Sequence, residues 1–79
     1  MKHFVYILYS KSLNEYYKGH STDVNRRLLD HNGGFSRFTS TGIPWELVYV
    51  KEFDTKKAAL IEEKRLKKLN RKSIEKLIR

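Results

Sequence analysis

The sequence predicts an α/β domain of the α+β kind: a three-stranded, mainly antiparallel sheet flanked by helices, in the order β-β-α-β-α-α. Three observations carry this. Runs rich in β-branched and aromatic residues occur at 3–9, 16–19 and 44–53. Helix-patterned stretches with start and stop signals follow the second and third runs. The chain has 79 residues, which bounds it to a single domain over 1–79.

Taken in order, HFVYILY (3–9) reads as a buried first strand. SKSLNE is polar and turn-prone, and YYKG (16–19) is a short second strand. The two are expected to form a hairpin that brings Tyr6 and Tyr17 close, with Gly19 ending the strand where the chain bends. In STDVNRRLLDHNGG, Ser21 or Thr22 is the expected helix N-cap, with Asp23 in the first turn. Asn32-Gly33-Gly34 supplies residues that tolerate a left-handed C-terminal cap. Val24 and Leu28 stand at i and i+4 and define the inward stripe. Arg27 and His31 have the same spacing and border that stripe, while Arg26 turns toward solvent. GGFSRFTSTG (33–42) reads as a loop. PWELVYVKEF (44–53) alternates, so Trp45, Leu47, Tyr49 and Phe53 are expected on one face and Val48 and Val50 on the other. DTKKAALIEEKRLKKLN reads as a long helix capped by Asp54 or Thr55, with Ala59, Leu66 and Leu69 among its apolar residues. RKSIEKLIR is a final short helix.

Lys and Arg number 17 against 9 Asp and Glu, a net charge of +8. So basic a small domain points to a polyanionic partner, nucleic acid before an anionic membrane surface. The absence of cysteine excludes disulfides and thiolate metal sites. No segment approaches the roughly 18 apolar residues of a membrane span. MKHFVYILYS has too short an apolar run for a signal peptide and lacks a small-residue cleavage site. It is read as the first strand, and the protein is expected to be cytoplasmic.

The tyrosine-bearing strand pair, the helix with RRLLDH, the PWELVY strand and a glutamate on the next helix together resemble a GIY-YIG nuclease domain, of the small stand-alone kind. The resemblance runs from about Phe4 to Ile78. VYI stands at the first motif, with Tyr6 as its tyrosine and Val5 in place of a glycine. YKG stands at the second, with Tyr17 as its tyrosine, Gly19 as its glycine, and Lys18 where the family has an apolar residue. Arg27 falls on the catalytic arginine. His31 falls on a position often held by a histidine that touches the site. Helical periodicity does not choose between Glu62 and Glu63, since both border apolar positions; the resemblance selects Glu63 as the carboxylate that holds a single divalent metal, Mg²⁺ or Mn²⁺. It implies catalytic roles for Tyr6, Tyr17, Arg27, His31 and Glu63. Lys18, His20, Arg37 and Asn70 are the expected substrate-binding residues.

These residue types suit phosphodiester hydrolysis. That reaction needs a nucleophilic water, a base, a positive field for the developing charge and help for the leaving oxygen. A single carboxylate with retained waters suits Mg²⁺. A guanidinium forks onto two phosphate oxygens and stays charged. A phenol starts near pKa 10, so Tyr6 as base needs neighbouring positive charge to lower that value. Tyr17 would hold the water or orient Tyr6, and His31 or His20 would donate to phosphate or relay protons. In the 35–41 loop, Arg37 could meet a phosphate and Phe35 or Phe38 could stack on an unpaired base. Lys56, Lys57, Lys64, Lys67, Lys68, Arg71 and Lys72 could track a backbone. The expected activity is a metal-dependent DNA endonuclease of low or structure-based specificity, with branched or single-stranded DNA among its substrates. The alternatives are a non-catalytic nucleic-acid-binding module, and a nuclease active only with a partner protein.

Overall fold

Strand β1 (His3–Ser10) lies between β2 (Glu15–Ser21) and β3 (Trp45–Phe53) in an antiparallel sheet of order β2-β1-β3. The computed structural model describes residues 1–34 and 39–78. Helix α1 (Val24–Asn32) follows β2, and a one-turn 3₁₀ segment (Ser40–Gly42) precedes β3. Helices α2 (Lys56–Lys67) and α3 (Arg71–Leu77) complete the predicted order.

The helices take opposite faces because β1 is apolar on both sides. Val5 and Ile7 point to one face and pack with Ala59, Leu66 and Ile74 of α2 and α3. Tyr6 and Leu8 point to the other and pack with Trp45, Val24 and Leu28. Val5, Ile7, Leu8, Leu66 and Ile74 are fully buried and contribute about 1.5–3 kcal/mol each. A continuous apolar run is what a strand covered on both faces requires.

Three local expectations are corrected. Gly19 does not end β2, which runs on to Ser21, and so neither Ser21 nor Thr22 caps α1. Asp23 does, accepting from the Arg26 amide at 3.0 Å, and Ser21 Oγ accepts from the Asp23 amide at 2.9 Å. The expected left-handed cap is present: Gly33, the C-cap, is right-handed and Gly34 after it has φ of 78°. Strict alternation in β3 also fails. Ile7 pairs with Tyr49 but Leu8 pairs with Leu47, so Val48 is an extra residue in a bulge. Trp45 and Leu47 therefore face α1, while Val48, Tyr49 and Phe53 join the opposite core.

Thr55 caps α2 and Asn70 caps α3, each accepting a backbone N–H three residues on. Arg71 ties α3 to the β1–β2 turn through the Asn14 carbonyl, at 2.7 Å, and its side-chain oxygen, at 2.6 Å. Asn14 holds φ of 55°, a left-handed conformation that Asn tolerates better than most residues. No helix among the described residues is long and apolar enough to cross a membrane.

Candidate active site

The α1 face of the sheet gathers four of the side chains singled out above. Tyr6 sits mid-strand and is 1% exposed. Its register partner on the edge strand is Gly19. A Cβ on Gly19 would lie 2.7 Å from Tyr6 Oη, so the missing side chain is what lets the phenol lie across β2. Tyr17 is on the same face, its ring 6.4 Å from that of Tyr6. His31, from the last turn of α1, is buried beneath them and meets Tyr17 edge-on at 4.8 Å. Arg27, one turn earlier on α1, lies beside the phenol and 3.7 Å from Asp30.

Hydrogen bonds fix the imidazole from both ends. Nε2 lies 3.2 Å from Tyr6 Oη, and Nδ1 lies 2.8 Å from Thr39 Oγ1. Guanidinium N–H groups only donate, so the Tyr6 oxygen accepts on its Arg27 side and directs its own proton to Nε2. The neutral ring then carries its hydrogen on Nδ1, donating to Thr39. Thr39 is fully buried, and its carbonyl accepts from Trp45 Nε1 at 2.7 Å. Asn32 donates to the Trp45 carbonyl at 3.0 Å and also accepts from its amide. The end of α1, the start of β3 and Thr39 are thus one hydrogen-bonded unit behind His31.

Burial decides the protonation states. It pushes the Tyr6 phenol above its ordinary value of 10.0; Tyr17 and Glu63 add to the rise, and Arg27 opposes it. Burial also lowers His31 below 6.5, helped by the Arg27 charge and opposed by Asp30. At neutral pH both groups are uncharged. The lowered phenol that a free tyrosine base needs is therefore not present: the positive neighbour exists, but desolvation outweighs it.

The structure separates the two glutamates that periodicity could not. Glu62 turns toward β3 and is gripped by Arg65 at 2.6 and 2.8 Å, which holds its carboxyl below the usual range. Glu63 turns to the opposite side. Its Oε1 lies 2.9 Å from His20 Nδ1 and its Oε2 lies 3.4 Å from Lys67 Nζ. Its charge is the smallest of the contributions to the raised Tyr6 phenol, which burial dominates. His20 pairs with Val5, so it and Glu63 lie on the α2–α3 side of the sheet, whereas the Tyr6 ring projects on the α1 side, with Gly19 opposite it on β2.

The expected substrate-binding residues scatter. His20 partners Glu63. Lys18 pairs with Ile7 and lies on the α2–α3 face, beside Leu69 and Arg71, away from the Tyr6 cluster. Asn70 commits its side-chain oxygen to the α3 cap. Arg37, Phe35 and Phe38 lie outside the described residues. One contributor was missed: Thr39 lies in a loop, where no periodicity marks it. Lys67, expected as a backbone-tracking lysine, stands at i+4 from Glu63 and pairs with it.

Paired tyrosines on the sheet, an arginine and a histidine on the first helix and a carboxylate on the second make up the candidate site. The sequence matches the GIY-YIG catalytic domain over residues 2–77, and the chain belongs to that family, a nuclease superfamily. Within it, the chain is similar to UPF0213 proteins. It is 38% identical to one from Listeria welshimeri over 73 residues, 91% of this chain and 80% of that one. It is 38% identical to one from Natronomonas pharaonis over 77 residues, 96% and 89% of the two chains. The solution NMR structure of a UPF0213 protein from Bacillus halodurans superposes with a TM-score of 0.63 at 37% identity, covering 99% of this chain and 83% of that one.

Proposed function

We propose that this protein is a metal-dependent endonuclease that hydrolyses phosphodiester bonds in DNA with low or structure-based specificity. The observation that carries the reading is the Tyr6–His31–Thr39 chain, with Arg27 beside the phenol and Glu63 at the strand edge. A raised phenol and a neutral imidazole in hydrogen-bond contact form a two-site proton carrier. Tyr6 takes a proton from the attacking water as it passes its own to His31 Nε2, so no free phenolate is needed. Arg27 binds the non-bridging oxygens and stabilises the charge that grows on them. Tyr17 packs against His31 and shields the pair from bulk water.

Glu63 fits a cation that keeps most of its water. No group of three or more His, Cys, Asp or Glu side chains among the described residues could build a closed cage. One carboxylate completed by water and phosphate oxygens is a Mg²⁺ or Mn²⁺ donor set. Such a cation, held by Glu63, would supply charge neutralisation at the phosphate and the leaving oxygen.

The test is incubation with supercoiled plasmid, single-stranded DNA and branched junctions in Mg²⁺, Mn²⁺ or EDTA. Metal-dependent cleavage is expected to fall by on the order of 10²–10³ in Arg27→Ala and in Glu63→Ala. DNA binding without cleavage, indifferent to Glu63→Ala, refutes the enzyme and supports a binding module. Cleavage that requires an added protein fraction supports partner dependence.

A further inference from the structure

The two adjacent glutamates of α2 are tied in physically different ways. Glu62 is locked by a bidentate guanidinium at 2.6 and 2.8 Å. Glu63 is 87% shielded from solvent (13% side-chain exposure) but held by groups that can leave. The Lys67 ammonium stands 3.4 Å from Oε2, beyond the 2.7–2.9 Å typical of a strong charge-assisted hydrogen bond. Lys67 closes α2, and its side chain is 58% exposed. His20, on the sheet, takes the other oxygen at 2.9 Å with only 32% exposure. Oε2 is thus the oxygen with the looser, more mobile partner.

We propose that Lys67 is a built-in counter-cation for Glu63: it neutralises the carboxylate in the free protein, yields Oε2 to a divalent cation, and is thereby released to a phosphate of the bound strand. The proposal rests on Glu63 as the metal carboxylate. A dication carries twice the charge of the ammonium and replaces a long contact with direct oxygen coordination, so it wins the exchange. The displaced ammonium stays tethered one helical turn away, at the rim where the phosphate charge arrives. Metal loading and strand binding are coupled through one side chain, and the carboxylate is never left as an uncompensated charge in its shielded position.

Mn²⁺ titration followed by electron paramagnetic resonance, without DNA, tests the first half. A long ion pair with one exposed, solvent-screened partner contributes a factor of roughly 2–5. Lys67→Met is therefore expected to tighten Mn²⁺ binding about 2- to 5-fold at low salt, with the gain shrinking at high salt. Lys64→Met removes the same charge from a lysine that has no carboxylate within 4.0 Å among the described residues, and should leave the affinity unchanged. DNA binding by fluorescence anisotropy, in non-cleaving Ca²⁺, tests the second half. Lys67→Met should lower the salt slope by about one phosphate contact, and only with Ca²⁺ present. If Glu63→Gln leaves Mn²⁺ binding intact, the metal assignment itself fails. If Glu63→Gln abolishes binding but Lys67→Met does not tighten it, or Lys64→Met tightens it equally, the Lys67 proposal alone is overturned. An equal loss of slope with and without Ca²⁺ overturns the release step.

Discussion

Replacing Gly19 with alanine adds one uncharged methyl group to the edge strand, yet it should disable the site. The new Cβ would stand 2.7 Å from Tyr6 Oη, 2.9 Å from Tyr6 Cζ and 3.3 Å from a Tyr17 ring carbon. Ordinary contact begins at 3.4 Å, a shortfall of about 0.7 Å at the phenol oxygen. Tyr6 is 1% exposed and has no empty space to retreat into, so the ring must tilt away from β2. A misplacement near 1 Å costs on the order of 10² in rate, which puts Gly19→Ala at roughly a 10- to 100-fold loss. Overpacking of this kind destabilises by about 1–3 kcal/mol, and the reduced freedom of the unfolded chain returns about 0.4–1 kcal/mol. The net loss leaves the protein folded at room temperature. The assay pairs the plasmid-cleavage rate with a thermal melt and with the ¹⁵N shifts of the His31 ring, which report the Tyr6 contact whether or not cleavage is measured. A folded Gly19→Ala variant with wild-type ring shifts and a rate within about twofold would refute the reasoning.

Tyr6→Phe keeps the ring and removes only the oxygen between His31 and Arg27. Cleavage should fall by on the order of 10²–10⁴, the usual worth of a positioned proton carrier, while stability falls by about 1–3 kcal/mol, because His31 Nε2 is left buried without its partner. The pH dependence follows from His31. Its folded pKa lies below 6.5, so the unfolded chain binds the proton more readily. The stability contributed by the neutral ring is complete above about 6.5 and is lost as pH falls from there through the folded pKa. Thermal melts from about pH 7.5 to about pH 5 should show this decline, flattened in His31→Gln; Asp54 and Glu62, with lowered carboxyl pKa values, act only at more acid pH. An unchanged slope in His31→Gln would assign the decline elsewhere.

Local chemistry was legible in the chain. The alternation and branching of 3–9, the helix signals around Val24–Asn32 and the +8 charge depend on neighbours a few residues apart. They gave the element order, the inward Val24–Leu28 stripe and the pairing of Arg27 with His31 on one helix face. The resemblance to GIY-YIG domains, now matched over residues 2–77, rested on the order of the same short motifs.

Tertiary structure decided what depends on contacts between distant segments. The bulge at Val48 reverses which β3 side chains face α1, and it exists only in the register against β1. Glu62 and Glu63 differ by one step around α2; only the sheet beneath shows that one step leads to Arg65 and the β3 side, the other to His20 and the β2 edge. Thr39 orients His31 from eight residues away, through a loop without periodicity. The sign of the Tyr6 shift was likewise beyond the sequence, because a neighbouring arginine and complete burial oppose each other and only the packed fold sets their balance. Sequence fixes propensity and pattern over a few residues, whereas desolvation and register are properties of the assembled layers.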